Sequence, residues 1–209
     1  MKIHLRDEHS IVMLVSALKY GLANLTRFSG RDGQAPFWLY VLMTFPLIFC
    51  AVAAVMFSEI ASAMERAQEF AQANPDKATI TRGPGSYRIS INDPAYDMGL
   101  DTNFLFGGML LIGAVAIILY AAAVCRRLHD RGYRGWWGVV PAVLFFASGG
   151  SMASVFGALP AEPDPATFFA IWLLTMTYNV SLIVLVIQCA LPGKPEANRF
   201  GEVPPKTGI

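Results

Sequence analysis

Four continuous apolar stretches dominate this chain: Phe37 to Phe57, Phe104 to Cys125, Trp136 to Ala158 and Phe168 to Leu191. Each comes close to or exceeds the ~20 residues that an α-helix needs to cross the roughly 30 Å hydrocarbon core of a bilayer. The apolar residues run on without the alternation of a barrel strand, and only helices or closed barrels satisfy their backbone groups in lipid. The fold class that follows is an all-α integral membrane protein. Its four transmembrane helices are predicted at about 37–57, 104–125, 136–158 and 168–191. Composition agrees: 55% of the 209 residues are hydrophobic and only 15% charged, against about 25% charged in a soluble domain.

The segments between the runs define three parts. Residues 1–36 form a tail and an amphipathic helix. Ile11, Leu14, Val15, Leu18, Leu22 and Leu25 recur at helical spacing and make one stripe. The fully apolar part is too short to span, so a helix from Ser10 to Phe28 lying in the membrane interface is expected. Residues 1–9 read as a frayed end, and Phe28-Ser29-Gly30-Arg31 as the helix stop, with Gly30 at the C′ position. A cleaved signal peptide fits less well, because Asp7 and Glu8 interrupt the basic start that such a segment needs. The four-helix domain covers residues 37–191, and a second tail covers 192–209.

The loop 58–103 stands apart from the runs. Ile60, Met64, Ala67, Phe70 and Ala71 keep a helical stripe, so the first spanning helix is expected to continue past the membrane. Ile80-Thr81-Arg82, Gly83-Pro84-Gly85 and Tyr87-Arg88-Ile89-Ser90-Ile91 then read as a β-hairpin. Seven acidic residues lie in this loop, which disfavours membrane burial. Only Arg66, Lys77, Arg82 and Arg88 of the 16 basic residues fall on its side, leaving 12 on the other. The positive-inside rule therefore predicts both termini in the cytoplasm and loop 58–103 facing outward. Net charge is +1, which gives no electrostatic argument for nucleic acid.

The stretch from Cys125 to Trp137 concentrates the charge, with four arginines, His129 and Asp130 between two apolar runs. If the second helix continues into it, Arg126 and Asp130 are spaced i,i+4 and can pair; Arg31, across helices, is the other expected partner for Asp130, the only acid in this stretch. Arg127 then points elsewhere, free to meet a lipid phosphate or a carbonyl. Three readings stand: a basic topology anchor with a structural ion pair, a phosphate or anionic head-group site, and a histidine working as acid or base. No Asp, Glu, Lys, Arg or His lies centrally in any run, where ion-coupled carriers place such groups. Walker, nucleophile-elbow and paired-histidine zinc motifs are absent from the sequence. No metal site and no cofactor is expected. Cys50, Cys125 and Cys189 all fall in apolar runs and are read as buried structural cysteines. Gly149, Ala153 and Gly157 form a small-residue ridge suited to close packing within the chain or to a second copy, so oligomeric state stays open.

Three separated segments resemble the DUF805 family of small bacterial inner-membrane proteins. They are Phe28-Ser29-Gly30-Arg31 with Phe37-Trp38; Arg126-Arg127-Leu128-His129-Asp130 with Gly135-Trp136-Trp137; and Gly193 with Asn198-Arg199-Phe200-Gly201 and Pro204. The family commonly has a second basic residue after Gly-Arg; here Asp32-Gly33-Gln34-Ala35 supplies none. Loop 58–102 looks like an insertion relative to compact members. The resemblance implies a bacterial inner-membrane location and the four-helix topology, and it adds no activity. All three segments fall at helix ends on the side assigned to the cytoplasm. Arg31, Arg126, Arg127, His129, Asp130, Arg134, Trp136, Asn198 and Arg199 are thus the candidate binding residues, with the bilayer, and an anionic lipid in particular, as the expected partner. The expectation is a non-enzymatic membrane protein. The alternative is a flippase or an enzyme acting on a phosphate-bearing lipid, with His129 and Asp130 as reactive groups.

Overall fold

The computed structural model describes residues 2–93, 96, 101–157 and 164–205, with side chains from Ile11 onward. Five α-helices and one hairpin follow in order: α1 (Lys2–Ala23), α2 (Gln34–Ala73), β1 (Ala78–Gly83), β2 (Ser86–Ile91), α3 (Thr102–Asp130), α4 (Val139–Gly157) and α5 (Pro165–Ala190). A short 3₁₀ turn, Gly135–Gly138, leads into α4. Four helical segments, with this turn counted into the third, are long and apolar enough to cross a membrane, and the chain is a multi-pass membrane protein by that architecture.

The helix ends have local causes. Pro36 sits in the first turn of α2, where its missing N–H leaves no bond unmade. At 40 residues α2 is about 60 Å long at 1.5 Å per residue, twice the hydrocarbon thickness. Its second half carries Glu59, Glu65, Arg66 and Glu69 beyond the apolar run, as the sequence stripe predicts. Asp101 caps α3 by accepting from the Phe104 N–H at 2.9 Å, and Asp164 does the same for α5 through Thr167 N–H at 3.3 Å. Gly132 (φ 84°) stops α3, with Tyr133 N–H bonding Leu128 O and Gly132 N–H bonding His129 O. This paired pattern needs a left-handed residue at that position.

Two sequence expectations about α1 are corrected. The helix begins at Lys2, and it ends at Ala23, seven residues before Gly30. Asn24 stops it, bonding back to Tyr20 O with its side-chain amide at 2.8 Å; such local bonds compete with helix continuation. Gly30 has φ 92°, but it sits in the loop rather than at the helix end. Leu18 packs on the cluster around Phe37 and Tyr40, while Ile11, Val15 and Leu22 face outward.

The bundle is inside-out relative to a soluble protein. Its largest fully buried side chains are Arg126, Arg127, Tyr40 and Leu128. Leu47, Phe57, Leu111, Ile118 and Val180 are each more than 60% exposed on the outside. Lipid is as apolar as leucine, so helices here associate through close packing and hydroxyl bonds. Tyr40 Oη donates to Leu119 O at 3.1 Å, and Thr44 Oγ1 and Tyr120 Oη lie 2.9 Å apart, tying α2 to α3. Gly149 of the small-residue ridge packs on Leu110 of α3 within the chain. The cysteine expectation holds only for Cys189: Cys50 is exposed and Cys125 half-buried, because an apolar run in lipid has an outward face as well as an inward one.

The hairpin occurs where the alternation predicts it. Ala78 pairs with Ile91 and Gly83 with Ser86, closed by Pro84-Gly85 with Gly85 at φ 73°. It packs against α2, and a Lys77–Asp93 ion pair at 3.0 Å ties its base. That pair holds the Lys77 ammonium above the usual lysine range, chiefly by the hydrogen bond to Asp93.

Candidate functional site: an arginine clasp at one end of the bundle

The loop before α2, the end of α3 and the chain after α5 meet at one end of the bundle. The loop contributes the adjacent residues Arg31 and Asp32, and α3 contributes Arg126, Arg127 and Asp130. All five are buried: Arg127 is 0% exposed, Arg126 2%, Asp130 3%, Asp32 4% and Arg31 9%.

Charges pair crosswise between loop and helix. Arg31 binds Asp130 Oδ1 through Nε (3.1 Å) and Nη2 (2.9 Å). Arg126 Nε binds Asp32 Oδ2 at 2.7 Å, and Arg127 Nη1 binds Asp130 Oδ2. The Arg31–Asp130 pair expected across helices is thus formed, and the alternative expected from helical spacing, Arg126–Asp130, is not. Both residues do share a helix face, but the Arg31-Asp32 dipeptide offers each a partner of opposite charge from outside the helix. Asp32 was absent from the candidate residues read in the sequence. Its signal was a charge count: four arginines lie between 126 and 134 against the single acid Asp130, and burying Arg126 and Arg127 together calls for a second carboxylate.

The remaining guanidinium donors go to carbonyls at the end of α5, in the segment after it and in the loop after α1. Arg31 Nη1 donates to Glu196 O (2.8 Å) and Gly201 O (3.3 Å), and Nη2 to Lys194 O (2.6 Å). Arg127 Nε donates to Cys189 O at 2.9 Å and Nη2 to Leu191 O. Arg126 Nη1 reaches Asn24 O at 2.9 Å and Arg27 O. Gln34 takes Ala190 O at 2.7 Å. A helix leaves its last carbonyls without intrahelical partners, and cations are favoured there. Here those carbonyls anchor α5 and the chain beyond α1 to α3. Backbone bonds close the same joint, from Asp32 N–H to Arg126 O (3.2 Å) and from Lys194 N–H to Asp130 O (2.9 Å). Tyr20 Oη donates to Asp32 Oδ1 at 2.7 Å; burial, with that bond second, lifts its phenol above the usual tyrosine range.

The tail segment folds over His129. Asn198 Nδ2 donates to His129 O at 2.9 Å, while its Oδ1 accepts the Phe200 N–H at 2.8 Å in an Asx turn. The Phe200 and His129 rings stack with centroids 3.9 Å apart and planes 5° from parallel. Arg199 also lies over the Phe200 ring, 4.7 Å from its centroid. His129 Nδ1 is 3.1 Å from Gly30 O, and its ring also lies 3.6 Å from the Cys125 thiol. Gly193 allows the tail its approach: a Cβ there would overlap the Asp130 carboxylate.

Arg31, Arg126, Arg127, His129, Asp130, Asn198 and Arg199 thus lie in one contact network. Arg134 and Trp136 lie beside it, on the turn into α4. Arg134 is exposed and makes no hydrogen bond or ion pair through its side chain among the described residues. Trp136 is 51% exposed and stacks on Trp137 at 4.4 Å. Arg127 meets carbonyls, one of its two expected partner classes, and is closed off from solvent. Among the described residues no group of three or more His, Cys, Asp and Glu is placed to hold a metal ion.

A family profile described as "Protein of unknown function (DUF805)" matches residues 25–202. Neither a curated protein nor a solved structure matches the chain.

Proposed function

Because the chain belongs to the DUF805 family, whose description carries no activity, we propose its role from geometry: it is a bacterial inner-membrane protein with cytoplasmic termini that binds an anionic lipid head group at the rim of the arginine clasp. The orientation rests on the basic residues gathered at the clasp end of the helices.

The observation that carries this reading is the division among the arginines. Arg31, Arg126 and Arg127 are buried and direct their donors at protein oxygens. They act as scaffold. Arg134 and Arg199 are exposed and have no hydrogen-bond or ion-pair partner among the described residues. Arg134 leads directly into the exposed Trp136–Trp137 pair, and Arg199 lies over Phe200; aromatic side chains such as the tryptophans favour the head-group level. Guanidinium forks match phosphate oxygens and meet them in charge-assisted bonds. Asp130, engaged through both oxygens, and His129, stacked on Phe200, hold the rim in shape, and a reaction at these two groups is the weaker reading.

The test is lipid retention. The protein is exchanged into nanodiscs of phosphatidylglycerol and phosphatidylethanolamine, released in mild detergent, and weighed by native mass spectrometry. Retained phosphatidylglycerol is expected to exceed its share of the bilayer, and the excess should fall several-fold in Arg134→Gln/Arg199→Gln. Retention that follows bilayer composition in wild type would overturn the reading.

A further inference from the structure

Beside the clasp lies a space that its side chains leave open. A cavity of about 270 Å³ sits between the end of α3, the start of α4 and the last turns of α5. Ser181, Val184, Leu185 and Gln188 line its α5 side. Their spacing is one helical stripe, about 10 Å long at 1.5 Å per residue. Leu128 and Pro141 lie across from them. Val184 and Trp137, each 51% exposed, stand at its opening. The surface of the lining is almost wholly apolar, and of its polar-bearing members, Tyr133, Ser181 and Gln188, the last lies nearest the end of α5 and the clasp.

Arg131 closes that polar end. Its Nη1 donates to Pro192 O at 2.8 Å and its Nη2 to Gln188 Oε1 at 3.3 Å. Its Nε is buried and has no protein partner among the described residues. Arg134, exposed and unpaired, follows on the same turn. The apolar slot thus ends at Gln188, which Arg131 bonds; Arg131 keeps one buried N–H without a protein acceptor, and Arg134 follows three residues on with a free guanidinium.

We propose that the slot seats an acyl chain of a resident phospholipid whose phosphate is received by Arg131 and Arg134. This deepens the head-group reading above and rests on it. A free phosphate would satisfy the arginines and leave the apolar walls uncovered. A bare hydrocarbon would cover the walls and leave the buried N–H unmet, which is unfavourable for any charged donor. One amphiphile with an anionic end answers both, and its chain then lies along α5 in the direction of the bilayer. Arg131 was not among the sequence candidates; it becomes one because its neighbour Gln188 belongs to the slot.

The experiment uses Trp137 as its reporter, in full-length protein with Trp38, Trp136 and Trp172 changed to Phe. Fluorescence is read in phosphatidylcholine bilayers containing rising fractions of lipid brominated on its acyl chains. With brominated phosphatidylglycerol, quenching should saturate at a mole fraction several-fold lower than with brominated phosphatidylcholine. Arg131→Gln/Arg134→Gln should abolish the difference. Ser181→Leu/Val184→Phe, which fills the slot, should make quenching merely proportional to composition. A companion protein keeping only Trp172, at the other end of α5, should show proportional quenching throughout and confirms that each variant is folded and inserted. Proportional quenching of Trp137 by both lipids would overturn the slot and leave the head-group reading to the retention test. Saturating quenching blind to head group would support the chain site and overturn the phosphate assignment at Arg131 and Arg134, while the head-group reading stands or falls with the retention test.

Discussion

The two ends of the bundle handle the same problem, an acid beside an arginine near a helix end, in opposite ways. At the clasp end, Arg31–Asp130 has side chains 1% and 4% exposed, Arg126–Asp32 2% and 5%, and Arg127–Asp130 0% and 4%. The first two pairs join the loop before α2 to α3 and the third lies within α3, while Arg31 and Arg127 also reach the chain after α5. At the hairpin end, Glu59 is 6% exposed but its partner Arg66 is 42% exposed, and both belong to α2. Glu59 reaches one other element, accepting the Asp101 N–H at 2.8 Å. Burial of an ion pair is not in itself a source of stability, since desolvation offsets the attraction; breaking such a pair is what is expensive. The clasp is therefore a device for fixing which segments meet. It suits a bundle whose outer surface is as apolar as its solvent, where burial alone distinguishes poorly between arrangements.

The largest expected effect follows from Asp130, which serves two arginines. Asp130→Asn leaves Arg31 and Arg127 buried without their counter-charge. The change should destabilise the protein by about 3–5 kcal/mol, read as a lower denaturation midpoint in detergent. A loss under about 1 kcal/mol, the range of a surface pair, would mean that the clasp is solvated in practice, and the contrast between the two ends would collapse.

Gly193→Ala sharpens the comparison without touching any charge. The added Cβ would overlap the Asp130 carboxylate, so the tail must shift away from α3. Overpacking of this kind costs typically 1–3 kcal/mol. The matching change at the far end of α4, Gly157→Ala, meets open space and should leave the midpoint unchanged. Equal midpoints for the two variants would show that the tail gives way easily and that the clasp closes without it.

What the sequence showed and what it hid divides along the same line. The four spans were legible because lipid imposes a length and a composition that any reader can measure, and each observed helix contains most or all of its apolar run. The hairpin was legible from alternation and Gly-Pro-Gly. The convergence of the three motif segments followed from helix ends on one side of the membrane. The pairing inside the clasp was legible only in part: Arg31 was one of the two partners expected for Asp130, but Asp32 as the partner of Arg126 was not foreseen. Helical spacing places Arg126 and Asp130 on one face, but Arg31 and Asp32 lie almost a hundred residues earlier, and only the tertiary fold brings them across. The end of α1 was missed because Leu25 extends its stripe, while the Asn24 amide that stops the helix is a local competitor invisible to periodicity. Cys50 was misplaced because burial statistics for cysteine come from proteins whose outside is water.

The smallest effect is expected at Arg66. Its guanidinium meets Glu59 at 2.8 Å, yet it is nearly half exposed and holds no second element. Exposed pairs are worth about 0–1 kcal/mol and weaken with salt. Arg66→Ala should therefore change the midpoint by less than about 1 kcal/mol, with a smaller change at high salt than at low. Glu59 keeps its bond to the Asp101 N–H in that variant, so the start of α3 stays capped and no buried group is orphaned. Removing the acid instead, as Glu59→Ala, strands that N–H and should cost about 1–3 kcal/mol, more than its partner's loss. If Arg66→Ala proved as damaging as Asp130→Asn, and insensitive to salt, the hairpin end would be a second closed joint. The folding of loop 58–103 would then belong to the stability of the bundle itself.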